Sequence, residues 1–165
     1  MAVKVSEIIE DALWVAKVVA YAEGMSMIAK SNTEYGWGIN LANVISLWRG
    51  GCIIRASLLK DLKKAFEINP NLESLIASEH LAEGIQKRIS KLRELVSTGV
   101  DNGVPTMALS SALNYLDFMS QKRASTVMIQ GLRDFFGAHT YARNDRAGTF
   151  HTLWSADRSE VKLKD

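Results

Sequence analysis

Only two prolines, Pro70 and Pro105, occur among the 165 residues, and neither lies within the first 69 positions. Proline ends or kinks an α-helix because it lacks a backbone N–H and its ring clashes with the preceding turn. From Val5 onward, apolar residues recur at helical spacing and cover more than half of the helix circumference. No segment sustains the alternation of a half-buried strand. The sequence therefore predicts an all-α, multihelical fold, with residues 1–165 forming a single helical domain.

Caps and breakers set the predicted helix boundaries. Asn40 is a helix cap after the loop "EYGWGIN", and Asn69-Pro70 has the form of another helix start. Asn102-Gly103, followed by Pro105, ends a helix. The tail after Gly137 is predicted to be irregular, with "TFHTLW" briefly extended. The predicted helices span 5–32, 40–48, 52–66, 80–100, 107–121 and 126–136.

Composition excludes several functional classes. The chain has 47% hydrophobic residues, a formal charge of +2 and a single cysteine, Cys52. The small charge does not favour nucleic-acid binding, and one cysteine excludes an internal disulfide. The N-terminus lacks the features of a signal peptide, and no apolar run approaches the ~18 residues of a membrane span. We therefore expect a cytoplasmic chain with no nucleic-acid or membrane partner.

Cofactor and metal motifs are not evident in the sequence. "YGWGINL" has glycines at 36 and 38 but no third glycine and no preceding strand, so it is not a dinucleotide fingerprint. His80, His139 and His151 are scattered without ligand spacing, and the isoleucines after Cys52 indicate a small core residue. We expect no metal site and no cofactor site on this chain.

The stretch "WRGGCIIR" places a double glycine between apolar residues and two arginines. It is typical of a tight joint between helices, with Trp48 buried and both arginines paired with acids. Ile53 and Ile54 then fall on the inner side of the following helix.

The stretch "IQGLRDFFGAHTYARND" holds the candidate site residues Arg133 and His139. If the helix ends at Gly137 in a left-handed cap, the chain reverses and brings His139 back beside the last turn. A guanidinium and an imidazole placed together can bind a phosphate. Alternatively, the two side chains neutralise the helix carbonyls and the neighbouring Asp134. The residues alone leave both interpretations open.

Several blocks resemble the decarboxylating 6-phosphogluconate dehydrogenases, in the order found in that family. They are "WRGGCIIRASLL", "STGVDNGVP", "SALNYLDFMSQKRAS", "IQGLRDFFGAHTYARND" and "GTFHTLW", and the resemblance runs from about Val5 to Trp154. Phe135 stands where tyrosine is usual, and the tail "SADRSEVKLKD" does not resemble the glycine-rich extension of the family.

The resemblance implies a helical domain like the C-terminal domain of that family. Family members use NADP to oxidise 6-phosphogluconate, which loses carbon dioxide to give ribulose 5-phosphate. Their NADP-binding Rossmann domain, catalytic lysine and proton-donating glutamate precede the region matched here, so no catalytic residue is expected on this chain. Arg133 and His139 match the family residues that cross a homodimer to bind the partner's substrate. The chain is therefore expected to be inactive alone. It would be either an engineered truncation or one part of a split enzyme whose N-terminal half is a separate chain.

A function from a different class is a stand-alone helical interaction module. Helices that lack their usual neighbours leave apolar surface uncovered, and such surface promotes self-association. The widely apolar first helix is the expected place for it.

Overall fold

The computed structural model describes residues 2–164, with side chains described for residues 6–163. Two compact units follow one another along the chain, Met1–Met119 and Ser120–Asp165. The side chain of Val5, with which the predicted apolar pattern begins, lies outside the described set. The helices are α1 Ala2–Tyr35, α2 Leu41–Trp48, α3 Leu59–Ile68, a short 3-10 helix Leu75–Ala77, α4 Glu79–Asp101, α5 Met107–Met119 and α6 Thr126–Gly137.

Helix α1 is the centre of the first unit and packs against α4, α5 and the 3-10 helix. Its fully buried residues recur every three or four positions, as the apolar spacing predicts: Ala12, Val15, Val18, Val19, Ala22 and Met25. The segment Ser6–Tyr35 also has the length and composition of a membrane span, but core helices of soluble proteins meet the same criterion. Its buried stripe lies in the core of this unit.

Two helix boundaries predicted in the first unit, the cap at Asn40 and the stop at Gly103, are confirmed. The Asn40 side chain accepts a hydrogen bond from the backbone N–H of Asn43 at 3.0 Å, which caps α2. Gly103 follows the end of α4 with a φ of 66°, a backbone conformation that glycine adopts without strain. Helix α1 continues about one turn beyond the predicted end, to Tyr35.

The prediction of a helix beginning at Cys52 is wrong. Residues 52–58 form turns and irregular backbone, and α3 begins at Leu59. Ile53 is 99% exposed, so it does not lie on an inner face. Cys52 is only partly buried, and Trp48 is half-buried beside Tyr21, whose hydroxyl donates to the Ile54 carbonyl at 2.6 Å.

Other predicted boundaries also differ from the structure. Asn69 ends α3 and its side chain accepts from the N–H of Asn71, so this pair forms a turn and does not start a helix. Val100, the last residue of the predicted helix 80–100, is exposed. Arg49 and Arg55 are exposed, and the acid partners predicted for them are not found among residues 6–163, whose side chains are described.

The second unit combines α6 with a three-stranded antiparallel sheet. Its strands are β1 Tyr141–Ala142, β2 Thr149–Thr152 and β3 Glu160–Lys164, in the order β1-β2-β3. Tyr141 pairs with Phe150, and His151 pairs with Val161. The fold is predominantly helical, as predicted. The sheet is the exception, because the tail is irregular only in part.

Candidate functional site

The end of α6 places the residues that the sequence singled out. The helix includes Gly137, and the left-handed residue is Ala138, with a φ of 47°. The Ala138 N–H donates to the Asp134 carbonyl at 3.0 Å, and the His139 N–H points at the Arg133 carbonyl at 3.5 Å. The predicted reversal is therefore present, but it occurs one residue later than predicted.

Gly137 has a different purpose from the one predicted. A Cβ atom built on Gly137 would lie 2.7 Å from Nε2 and 2.8 Å from Cδ2 of His139. The imidazole is therefore folded back directly onto the last turn of the helix, in the space that a side chain would fill. Its ring also makes an edge contact with Phe136, with centroids 6.1 Å apart. Gly137 therefore permits the return of His139 because it has no side chain, and the left-handed conformation belongs to Ala138.

Arg133 is exposed and is held loosely. Its Nη1 atom donates to Oε1 of Gln130 at 3.3 Å. Among the described residues, no carboxylate forms an ion pair with it. Arg143, in the same unit, instead donates to Asp145 at 2.6 Å and to Glu160 at 2.9 Å. The charge of Arg133 is therefore not neutralised within the described residues.

Gln130 connects Arg133 to the turn that carries His139. Its Nε2 atom donates to the carbonyl of Thr140, while its Oε1 accepts from Arg133. Thr140 has a φ of 63°, which is rare for a β-branched residue. One amide side chain therefore links Arg133 to the residue that follows His139 at the end of α6. The role of Gln130 was not predicted from the sequence.

Asp134 connects α6 to the turn and the sheet of this unit, a role that was not predicted from the sequence. It is fully buried, and among the described residues it is the only buried charged side chain. Its Oδ1 accepts from the Thr140 N–H at 3.0 Å and faces Nδ1 of His151 at 2.8 Å. Its Oδ2 accepts from the Thr152 N–H at 3.0 Å and from Trp154 Nε1 at 2.8 Å. Four partners thus satisfy the buried carboxylate.

These hydrogen bonds keep Asp134 ionised. Burial alone raises the pKa of a carboxyl group, but hydrogen bonds from Thr152, His151 and Trp154 outweigh it, and the pKa of Asp134 lies below its ordinary value. The contact with His151 also fixes the imidazole, whose Nδ1 faces the carboxylate. A faint signal of this arrangement is present in the sequence, because "FHTLW" carries the donors His151 and Trp154 and the preceding helix contains one internal aspartate.

A second charged cluster stabilises the sheet. Arg146 pairs with Glu160 and lies over the Phe150 ring, 4.7 Å from its centroid. The hydrogen bond from Arg143 lowers the pKa of Asp145 to about 2. The Tyr141 hydroxyl donates to Glu160 at 2.7 Å. Arg143 and Arg146 are thus paired with Asp145 and Glu160 of the same unit, so this cluster has a structural role.

The loop that carries Gly36 and Gly38 does not form a dinucleotide-binding turn. Gly36 and Gly38 lie between two helices, and the sheet found in residues 2–164 is antiparallel and remote in sequence from that loop. A dinucleotide-binding turn joins a parallel strand to a helix N-terminus. No group of three metal-ligating side chains is found within the described part of the chain.

Comparison with known proteins identifies relatives over almost the whole chain. The family model described as 6-phosphogluconate dehydrogenase, C-terminal domain, matches residues 2–154. A chloroplastic decarboxylating 6-phosphogluconate dehydrogenase of Oryza sativa subsp. japonica is 41% identical over 147 residues, 89% of this chain and 29% of the relative. The decarboxylating enzyme of Staphylococcus aureus strain N315 is 40% identical over 148 residues, 90% of this chain and 32% of the relative.

A solved structure agrees with these relatives. The Plasmodium falciparum 6-phosphogluconate dehydrogenase, described in its apo form and in complexes with its cofactor NADP+ and its substrate 6-phosphogluconate, superposes with a TM-score of 0.88 at 32% identity. The match covers 93% of this chain and 33% of that chain. The chain therefore spans about a third of the length of the relatives that it matches.

Proposed function

Because the chain belongs to the 6-phosphogluconate dehydrogenase family through its C-terminal domain, we propose that it supplies the later helical part of such an enzyme. The complete enzyme would use NADP to oxidise and decarboxylate 6-phosphogluconate to ribulose 5-phosphate in the cytoplasm. This chain would contribute core, a homodimer surface and part of the substrate site. The remaining two thirds of the enzyme would supply the cofactor site and the groups that move protons, either upstream in the same polypeptide or as a separate N-terminal chain.

Within that enzyme, Arg133 and His139 would bind the phosphate of the substrate held by the partner subunit. The observation that carries this assignment is the Arg133 guanidinium, which is exposed and has no acid partner among the described residues. It lies on the last turns of the helix onto which the His139 imidazole folds back. A guanidinium matches a phosphate with a planar fork of donors, and the imidazole adds another donor.

The experiment measures NADPH formation from 6-phosphogluconate by the purified chain, alone and mixed with the first two thirds of the Staphylococcus aureus relative. We expect no turnover alone and restored turnover in the mixture. In the active mixture, Arg133→Ala should raise KM for 6-phosphogluconate roughly ten- to a hundredfold, since a charged hydrogen bond contributes about 1.5–3 kcal/mol.

Arg123→Ala is the matched control, because Arg123 is also exposed in the second unit. An unchanged KM for Arg133→Ala beside an unchanged Arg123→Ala would contradict the phosphate assignment. Full turnover by the chain alone would contradict the division of labour between the two parts.

A stand-alone interaction module is the second candidate, favoured by the exposed apolar residues of α6. Although this helix is apolar, its buried residue is Asp134, and its large apolar side chains are between 45% and 78% exposed: Val127, Met128, Ile129, Leu132, Phe135 and Phe136. Surface of this kind promotes association. Light scattering across a concentration series distinguishes the two, because self-association together with failed complementation would favour the module.

A further inference from the structure

We propose that Gln130 and Asp134 are positioning residues that together hold Arg133 and the His139 turn in one anion-binding arrangement. This inference rests on the proposed phosphate role of Arg133 and His139 and adds the two residues that set their geometry. Gln130 and Asp134 are four positions apart on α6, so their side chains leave the same face of the helix.

Both backbone groups of Thr140 are held from that face. Asp134 Oδ1 accepts its N–H at 3.0 Å, and Gln130 Nε2 donates to its carbonyl. A β-branched residue with a φ of 63° is unfavourable by itself and persists only where its surroundings determine it. The two contacts from α6 supply that determination, so Thr140 is fixed to the helix at two points.

The orientation of the Gln130 amide follows from its partners. The Thr140 carbonyl can only accept, and the Arg133 guanidinium can only donate. One orientation satisfies both, and the flipped amide satisfies neither. A single side chain therefore links the position of the guanidinium to the position of the turn.

His139 lies between two left-handed residues, Ala138 and Thr140, with φ values of 47° and 63°. Its imidazole rests on Gly137 because the backbone on either side of it turns back toward the helix. If Thr140 were released, its unfavourable φ would relax and the imidazole would no longer be held at the end of α6. Holding the turn in advance removes an ordering cost from phosphate binding.

The test uses the intact 165-residue chain and NMR, with inorganic phosphate as the probe. Gln130→Met keeps the length of the side chain but removes both hydrogen bonds, and it leaves the buried Asp134 unchanged. We expect the Thr140 amide to exchange with solvent at least about tenfold faster in this variant. We expect the phosphate affinity measured at Arg133 Nε–H to fall about three- to tenfold. Gln121→Met, at an exposed glutamine of the same unit, should change neither quantity.

The outcomes separate the two proposals. Wild-type exchange of the Thr140 amide and wild-type phosphate affinity in Gln130→Met would overturn the positioning role alone. A wild-type chain in which phosphate shifts neither Arg133 Nε–H nor the His139 ring would overturn the phosphate role, and the positioning role with it. A loss of phosphate affinity confined to Gln130→Met, with the chain still folded, supports the proposal, since a merely structural residue would not alter the arginine signal.

Discussion

The two units of this chain are stabilised by different kinds of interaction. In the first unit, the buried side chains described are apolar and follow helical spacing, from Ala12 on α1 to Leu116 on α5. In the second unit, the buried side chains described are those of Phe150 and Asp134. Asp134 is thus the residue of α6 that is buried. One unit is held by non-directional burial, and the other by hydrogen bonds of fixed direction.

The difference bears on where a site can be placed. Apolar packing tolerates small shifts of one helix on another, whereas four hydrogen bonds to one carboxylate fix the strand, the turn and the helix to a common point. The second unit carries Arg133 and His139. A carboxylate core gives a small unit the geometric definition that its few apolar residues cannot supply.

The largest expected effect comes from removing the carboxylate. Asp134→Ala leaves four donors without their acceptor, and the loss of one member of a buried charged network typically costs about 3–5 kcal/mol. We expect the NMR signals of Thr140, Thr152 and the Trp154 indole to collapse while those of the first unit persist. Asp145→Ala, at an exposed carboxylate, should be far milder, and equal losses in the two variants would contradict this account.

A smaller effect is expected from acid. The pKa of Asp134 is lower in the folded protein than its ordinary value, so its ionised form stabilises folding above the unfolded pKa of about 3.9. That contribution should be lost as the pH falls below about 4, through the lower folded pKa. The Trp154 indole signal in urea titrations at several pH values measures it. Asp134→Asn should flatten the profile of the second unit in this range, whereas Asp145, with a pKa of about 2, stays ionised until the pH approaches that value.

A further effect, smaller than the loss of the Asp134 carboxylate, tests whether helix packing in the first unit tolerates an added methyl group equally at different positions. A Cβ on Gly84 would lie 2.5 Å from the ring of Trp14, which Arg88 covers at 4.7 Å from its centroid. Gly84→Ala should therefore destabilise the unit by roughly 1–3 kcal/mol despite the better helix propensity of alanine. Gly24→Ala meets no atom within 4 Å and should stabilise α1 by about 0.5–1 kcal/mol. Thermal unfolding of both variants decides the point, and a stabilising Gly84→Ala would contradict it.

The smallest effect concerns a cap. Asn40→Ala removes a side-chain hydrogen bond from the start of α2 and should cost about 1 kcal/mol. Ser78 precedes α4 without a side-chain cap bond, so Ser78→Ala should be nearly neutral in the same urea titration. Equal costs would mean that the hydrogen bond is not the source of the effect.

The first unit was largely predictable because its determinants are local. The apolar period of α1, the cap at Asn40 and the stop at Gly103 each act within a few residues. The errors there have a physical cause too. Ile53 and Ile54 continue an apolar pattern, but the turns after the double glycine remove them from the helix, and periodicity cannot detect such a break.

The second unit was predicted less well because its contacts span the tail. The pairings of Asp134 with His151 and Trp154 join residues 17 and 20 positions apart, and short strands such as β1 leave almost no periodic signal. The sequence predicted the chain reversal and the return of His139. It did not predict that Gln130 links Arg133 to Thr140, because that link depends on the backbone conformation of the turn.

The bare backbone at Gly137 separates two properties that substitutions usually change together. The atoms that an added methyl group would meet belong to the imidazole ring of His139, which can rotate away without disturbing the helix. Alanine at this position would therefore stabilise the helix and at the same time displace the imidazole from its position against the last turn. Selection for a more robust protein and selection for a well-placed histidine would pull in opposite directions at this one residue.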